Sequence, residues 1–151
     1  MPIAIIGIIH YYLLILENLI TAGMALKNIL LVDDDEGFNF LNRLIFVDNQ
    51  VNCDVHEAMN GKAALDYLEK SAECPEIILL DINMPIMDGF EFLERFEKYD
   101  KCSASTNVFV LTSSGRDTDR LKSLTNKHVK GFFNKPLSDA HVQQILATVR
   151  E

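Results

Sequence analysis

The chain reads as an α/β protein, a doubly wound five-stranded parallel sheet with five helices, and three observations predict it. From Lys27 onward, apolar runs of strand length alternate with segments of helical period, the order that βαβ units impose. Two of the runs, Ile29-Leu30-Leu31-Val32 and Ile77-Ile78-Leu79-Leu80, are apolar without alternation, as strands covered on both faces must be. Three runs end in chemistry: Asp33-Asp34-Asp35, Asp81 and Lys135-Pro136 each follow a strand end, where an open parallel sheet collects its ligands.

The elements follow in order. A strand near 28–33 leads to a helix near 36–48, whose apolar spacing includes Phe38, Leu41, Leu44 and Ile45. Asp35-Glu36-Gly37 at its start reads most simply as a cap with negative charge at a helix N-terminus. The run Asn52-Cys53-Asp54-Val55-His56-Glu57 alternates and suits an edge strand, followed by a helix near 60–71. A central strand near 76–81 precedes a helix near 88–99, opened by Asp88-Gly89. A strand near 107–112, a helix near 117–127 and a strand near 130–134 come next. The last helix, near 138–150, opens with Ser138-Asp139 just past Pro136 and carries Val142, Ile145, Leu146 and Val149 at helical spacing.

A length of 151 residues suits one domain, 48% hydrophobic content is enough for a sizeable core, and a second, output domain would not fit. The net charge of −8, with no basic run, argues against direct nucleic-acid binding, which needs clustered Lys and Arg. Cys53, Cys74 and Cys102 are odd in number and widely spaced, so they read as reduced thiols of a cytosolic protein, not as a disulfide frame or a zinc site. His10, His56, His128 and His141 never pair at ligand spacing and read as surface or edge residues.

Residues 1–26 form an apolar extension outside the expected domain, 27–151. As a membrane anchor the stretch 3–26 is borderline, because Glu17 and Asn18 interrupt it; as a signal peptide it is poor, because no Lys or Arg precedes the apolar run. Met24-Ala25-Leu26-Lys27 reads as a natural start immediately before the first strand.

The strand ends set four carboxylates, Asp33, Asp34, Asp35 and Asp81, against one lysine, Lys135. Like charges at that range repel, and a protein tolerates them when a divalent cation or a phosphoryl group completes the site. An unpaired acid after a buried run such as Ile77–Leu80 is costly, which weighs against a purely structural role for Asp81. Thr112-Ser113-Ser114 could equally serve a turn, Lys135-Pro136 an ordinary loop, and Phe132 the core.

Four segments carry a resemblance: Ile29-Leu30-Leu31-Val32-Asp33-Asp34-Asp35, Leu79-Leu80-Asp81-Ile82-Asn83-Met84-Pro85-Ile86-Met87-Asp88-Gly89, Val110-Leu111-Thr112-Ser113-Ser114 and Phe132-Phe133-Asn134-Lys135-Pro136. In order and spacing they resemble the receiver domain of two-component response regulators, of the stand-alone CheY-like type, over about 27–150. The resemblance implies a flavodoxin-like sheet of order 2-1-3-4-5 and a phosphoacceptor, Asp81, that takes a phosphoryl group from a sensor histidine kinase or a histidine phosphotransfer protein. It implies Mg2+ held by Asp34 directly, by Asp33 through water, by Asp81 and by the main-chain carbonyl of Asn83. A carboxylate is a weak nucleophile toward phosphorus until neighbouring charge is neutralised, and magnesium, which prefers oxygen ligands, suits that task.

By the same resemblance Thr112 and Lys135 meet the phosphoryl oxygens, Ser113 keeps access open, Asn83 and Ser114 tune the acyl-phosphate lifetime, and Phe132 changes rotamer on activation. A cis peptide at Pro136 would aim Lys135 inward. Output would pass to a downstream protein on the face built by the fourth helix, fifth strand and fifth helix of the predicted five, in the cytoplasm, and the chain would be no enzyme beyond self-phosphotransfer and slow autodephosphorylation. Two rivals differ in class. An aspartyl-nucleophile phosphatase of the haloacid dehalogenase type places a second Asp two residues after the nucleophile, where this chain has Asn83. A non-phosphorylated receiver-fold interaction module would have lost an acid or the lysine, and none is lost. A dinucleotide-binding domain would need a glycine-rich loop after the first strand, where this chain has acids.

Overall fold

A computed structural model describes residues 2–22 and 26–150. The apolar extension forms helix α1, Pro2–Ala22. The elements that follow are β1 (Asn28–Val32), α2 (Glu36–Asp48), β2 (Asp54–Ala58), α3 (Gly61–Lys70), β3 (Ile77–Leu80), α4 (Gly89–Glu97), α5 (Asp100–Ser103), β4 (Asn107–Thr112), α6 (Asp117–Leu124), β5 (Val129–Asn134) and α7 (Asp139–Val149). All five strands pair in parallel, in the order β2-β1-β3-β4-β5. The chain thus steps outward from β1 to β2 and then back across β1 to β3. Connections leaving β1 and β3 diverge to opposite faces, and a crevice opens beyond the carboxyl ends of those two strands.

Alternate residues of each central strand feed two cores. Leu30, Val32, Ile78, Leu80, Val108 and Val110 pack with Ala64 and Leu68 of α3 and Phe92 and Phe96 of α4. Ile29, Leu31, Ile77, Leu79, Phe109 and Leu111 pack on the other face with Phe46 of α2 and Val142 and Ile145 of α7. Each such Leu or Ile, fully buried, contributes about 2 kcal/mol relative to exposure. The caps read from sequence are made: Asp35 accepts from the amides of Gly37 and Phe38, and both Asp88–Glu91 and Ser138–His141 close reciprocal capping boxes.

Four expectations are corrected. The short α5 joins the five helices predicted after Lys27, while α1 is the apolar extension itself. In α2 the apolar residues Leu41 and Leu44 stay exposed while Asn39, Asn42 and Phe46 turn inward; the cause at Asn39 is a backbone partner, since its Nδ2 donates to the carbonyl of Asp33 at 3.1 Å. Cys74 and Cys102 are joined in a disulfide, and only Cys53 is free; the α3–β3 loop and α5 bring two residues 28 positions apart to a Cα separation of 5.4 Å, which no local spacing reveals. His128, in the connection between α6 and β5, is buried because it packs edge-on against Phe96 of α4.

Among the described residues no helix is long and apolar enough to cross a membrane. Ile6 to Leu16 of α1 are exposed except Ile15, which is half-buried. The start read at Met24 lies outside the described residues, as do the side chains of Glu17 and Asn18.

Candidate functional site

The crevice beyond β1 and β3 is where the sequence-predicted acids meet. Asp33 follows β1, and its amide still donates to Ala58 of β2 at 3.1 Å, which holds the backbone in ladder register. Its Oδ1 accepts from the amide of Asp35 at 2.9 Å, so the turn that starts α2 also orients this carboxylate. Asp81 follows β3 in the same way, its amide donating to Val32 at 2.8 Å and its Oδ1 accepting from the amide of Ile82 at 2.8 Å. Asp34 stands exposed at the rim. Carboxylate oxygens of Asp33, Asp34 and Asp81 all lie within 4.8 Å of one another.

Lys135 enters from β5. The Lys135-Pro136 peptide is cis, the amide of Lys135 donates to the carbonyl of Thr112 at 3.0 Å, and the lysine side chain is only 5% exposed. Its Nζ lies 2.5 Å from Asp33 Oδ2 and 3.5 Å from Asp81 Oδ2, with the ring centroid of Phe38 at 4.3 Å. A buried ammonium thus has two anions and an aromatic face as its surroundings. Burial pushes the Asp33 carboxyl above its ordinary range, the hydrogen bond from Lys135, the Asp35 amide and the lysine charge pull it down, and the Asp81 charge pushes it up. Three carboxylates against one ammonium leave two negative charges, an oxygen donor set and a charge that suit a hard divalent cation.

The other predicted residues surround this group. Thr112 ends β4, is buried, and its Oγ1 accepts from the amide of Ser114 at 3.2 Å. Ser113 and Asn83 are exposed, and Ser114 is half-buried. Phe132 is buried with the α3–α4 core, and the Arg120 guanidinium sits 5.7 Å above its ring. Among the described residues no hydrogen bond joins Asn83, Thr112, Ser113 or Ser114 to the three carboxylates.

Three residues were not read from sequence as part of the site. Asn39 ties α2 to the Asp33 backbone, and a signal existed: an amide among the apolar positions of a core-facing helix. Phe38, whose helical spacing predicts packing, covers Lys135 instead. Gly89 was read as part of a cap, yet a Cβ there would lie 2.5 Å from the Asp81 carbonyl oxygen and 2.8 Å from Ile82 Cα, so only glycine lets α4 approach the strand end.

Residues 29–147 match the family model described as the response regulator receiver domain. The chain is 29% identical over 123 residues to the chemotaxis protein CheY of Halobacterium salinarum, covering 82% of this chain and 96% of that one. It is 33% identical over 113 residues to the sporulation initiation phosphotransferase F of Bacillus subtilis, covering 75% and 85%. A two-component response regulator from Cytophaga hutchinsonii superposes with a TM-score of 0.78 at 28% identity, covering 83% of this chain and 97% of that one. With the parallel sheet, its order and the acid-and-lysine crevice all in place, the chain belongs to the receiver-domain family of two-component response regulators, a family of signalling domains.

Proposed function

We propose that this chain is the phosphoacceptor of a phosphorelay, with Asp81 as the residue modified. The observation that carries this is the crevice itself: three carboxylates and one buried lysine converge at the carboxyl ends of β1, β3 and β5. Asp81 Oδ1 is engaged by the Ile82 amide, which leaves Oδ2, facing Lys135, free to attack phosphorus. The phosphorus–nitrogen bond of a phosphohistidine on a kinase or phosphotransfer protein breaks as the acyl phosphate forms. Lys135 supplies a point charge to a phosphoryl oxygen, a preorganised contact that strengthens as charge shifts onto that oxygen. Thr112 has a hydroxyl donor to offer, and Ser113 leaves the mouth open.

Asp33, Asp34, Asp81 and the main-chain carbonyl of Asn83 would hold magnesium. When bound, the ion neutralises charge between the carboxylates and the incoming phosphoryl group. Asn83 and Ser114, both uncharged, set how readily water reaches the acyl phosphate. The signal leaves through the α6–β5–α7 face to a protein target in the cytoplasm, with Phe132 and Thr112 as the moving parts. Residues 27–151 suffice for this function, and residues 1–26 lie outside it.

Exposure to radiolabelled acetyl phosphate with magnesium tests the assignment. The wild-type chain takes up label that hydroxylamine releases, and Asp81→Asn does not, while its circular dichroism is unchanged. Undiminished labelling of Asp81→Asn, or labelling at the same rate in EDTA, would overturn it.

A further inference from the structure

Between β4 and α6 lies a polar cluster built on Asp119 and Arg116, two residues that the phosphoacceptor chemistry does not use. Ser114 Oγ donates to Asp119 Oδ2 at 2.5 Å, and Arg116 Nε donates to the same oxygen at 3.1 Å. The Arg116 amide and Nε also reach Ser114 Oγ, each at 3.4 Å. The Asp119 side chain is only 13% exposed, and its carbonyl accepts from the hydroxyl of the fully buried Ser123 at 2.7 Å. Helix α6 has no side-chain cap from its N-cap residue, Arg116, so this cluster is what fastens the loop to the helix start. A charge-assisted hydroxyl–carboxylate bond shielded from water is among the stronger hydrogen bonds a surface loop can make.

The cluster is coupled to Thr112 by one bond, the Ser114 amide donating to Thr112 Oγ1. Turning the hydroxyl proton alone would leave that bond intact, but among the described residues Thr112 Oγ1 makes no hydrogen bond to the three carboxylates, and drawing the oxygen itself toward a phosphoryl group on Asp81 stretches the amide bond or carries Ser114 along. Ser114 is held at its other end by Asp119. Resting on the phosphoacceptor reading, we infer that Asp119 is a positioning residue: through Ser114 it clamps the β4–α6 loop in the unmodified arrangement and sets how strongly Thr112 resists the switch. The clamp also directs the Ser114 hydroxyl toward α6, so the residue read from sequence as a lifetime tuner acts first as an anchor. A restraint present in only one of two states shifts their ratio by its own strength.

The test is titration with beryllofluoride in excess magnesium, followed by amide exchange across 110–118. Asp119→Ala binds the mimic about ten- to a hundredfold tighter than wild type, the range expected from losing one charge-assisted hydrogen bond. Ser114→Ala gives the same gain, and the double substitution adds nothing to either single one, as for two ends of one bond. Asp119→Asn, which keeps an oxygen for the Ser114 hydroxyl, falls between wild type and Asp119→Ala; a purely structural role for Asp119 would not produce that order. Wild-type affinity in both alanine variants, or a double substitution showing the summed effects, overturns the inference alone. A wild-type chain that ignores the mimic overturns the phosphoacceptor reading and the inference together.

Discussion

Replacing Asp81 by Asn should stabilise the magnesium-free protein while removing the proposed phosphoacceptor. Repulsion between the Asp81 carboxylate and a buried neighbour at the 4.8 Å limit of the cluster amounts to about 3.5 kcal/mol at an effective dielectric of about 20. Asp33 exerts this in full, whereas the exposed Asp34 is screened to a fraction of it. Lys135 at 3.5 Å opposes with about 5 kcal/mol on the same scale. Burial of the charge adds a cost that an amide largely avoids, and Asn can still accept from the Ile82 amide. The difference favours Asn by about 1 to 2 kcal/mol, or a rise in Tm of about 3 to 6 °C for a domain of this size. Magnesium at about ten times its Kd should then add about 1.4 kcal/mol to wild type and less to the variant, closing the gap. Calorimetric melts of both chains in EDTA and in excess magnesium measure all four values. A variant less stable than wild type in EDTA, or an equal gain from magnesium in both chains, would refute the charge argument.

Gly89→Ala drives a Cβ into backbone at 2.5 Å and should cost about 2 to 3 kcal/mol in urea unfolding, with labelling impaired because the Asp81 carbonyl must shift. The pH dependence of stability should bear the mark of His128. Burial, assisted by the charge of Lys127, lowers its pKa below 6.5, so the unfolded chain binds the proton more readily than the folded one; stability is full above 6.5 and declines as pH falls below it. Among the described residues His128 Nε2 has no hydrogen-bond partner, so His128→Leu should flatten that decline, and an unchanged slope would contradict the assignment. A chain beginning at Met24 should fold and accept label like the full chain; loss of either would place residues 1–23 inside the domain.

Much of this site was legible because strand ends announce themselves. Ile77 to Leu80 can only be a doubly covered strand, and an aspartate after such a run must point at something. Asp88 and Ser138 marked helix starts because their caps are local, closing within three residues. What the sequence withheld was non-local. Period alone made Leu41 and Leu44 candidates for the inward face of α2, since the bond that turns Asn39 inward needs the Asp33 carbonyl in place. The lysine's attachment to Asp33, at 2.5 Å and closer than to Asp81, depends on where two strands three places apart in the sheet deliver their ends. Cys74 and Cys102 fail to signal for the same reason: their meeting is a property of the topology.

That disulfide sits at the opposite end of the molecule from the acids. Cys74 precedes β3 and Cys102 precedes β4, so both lie at the amino ends of strands whose carboxyl ends carry Asp81 and Thr112, and β3 alone separates the two ends by about 13 Å. Lys101 reinforces the same corner, donating to the carbonyls of Leu68 and Ser71 at the end of α3. Cutting the cross-link releases a closed loop of 28 residues in the unfolded chain, worth about 3 to 4 kcal/mol by chain entropy. Surroundings that oxidise or reduce would therefore govern how long the folded chain survives a protease, while the proposed uptake of phosphate stays the same. Digestion half-life and label uptake, followed side by side with and without a thiol reductant, would separate the two, and uptake that fell with reduction would show the ends to be connected.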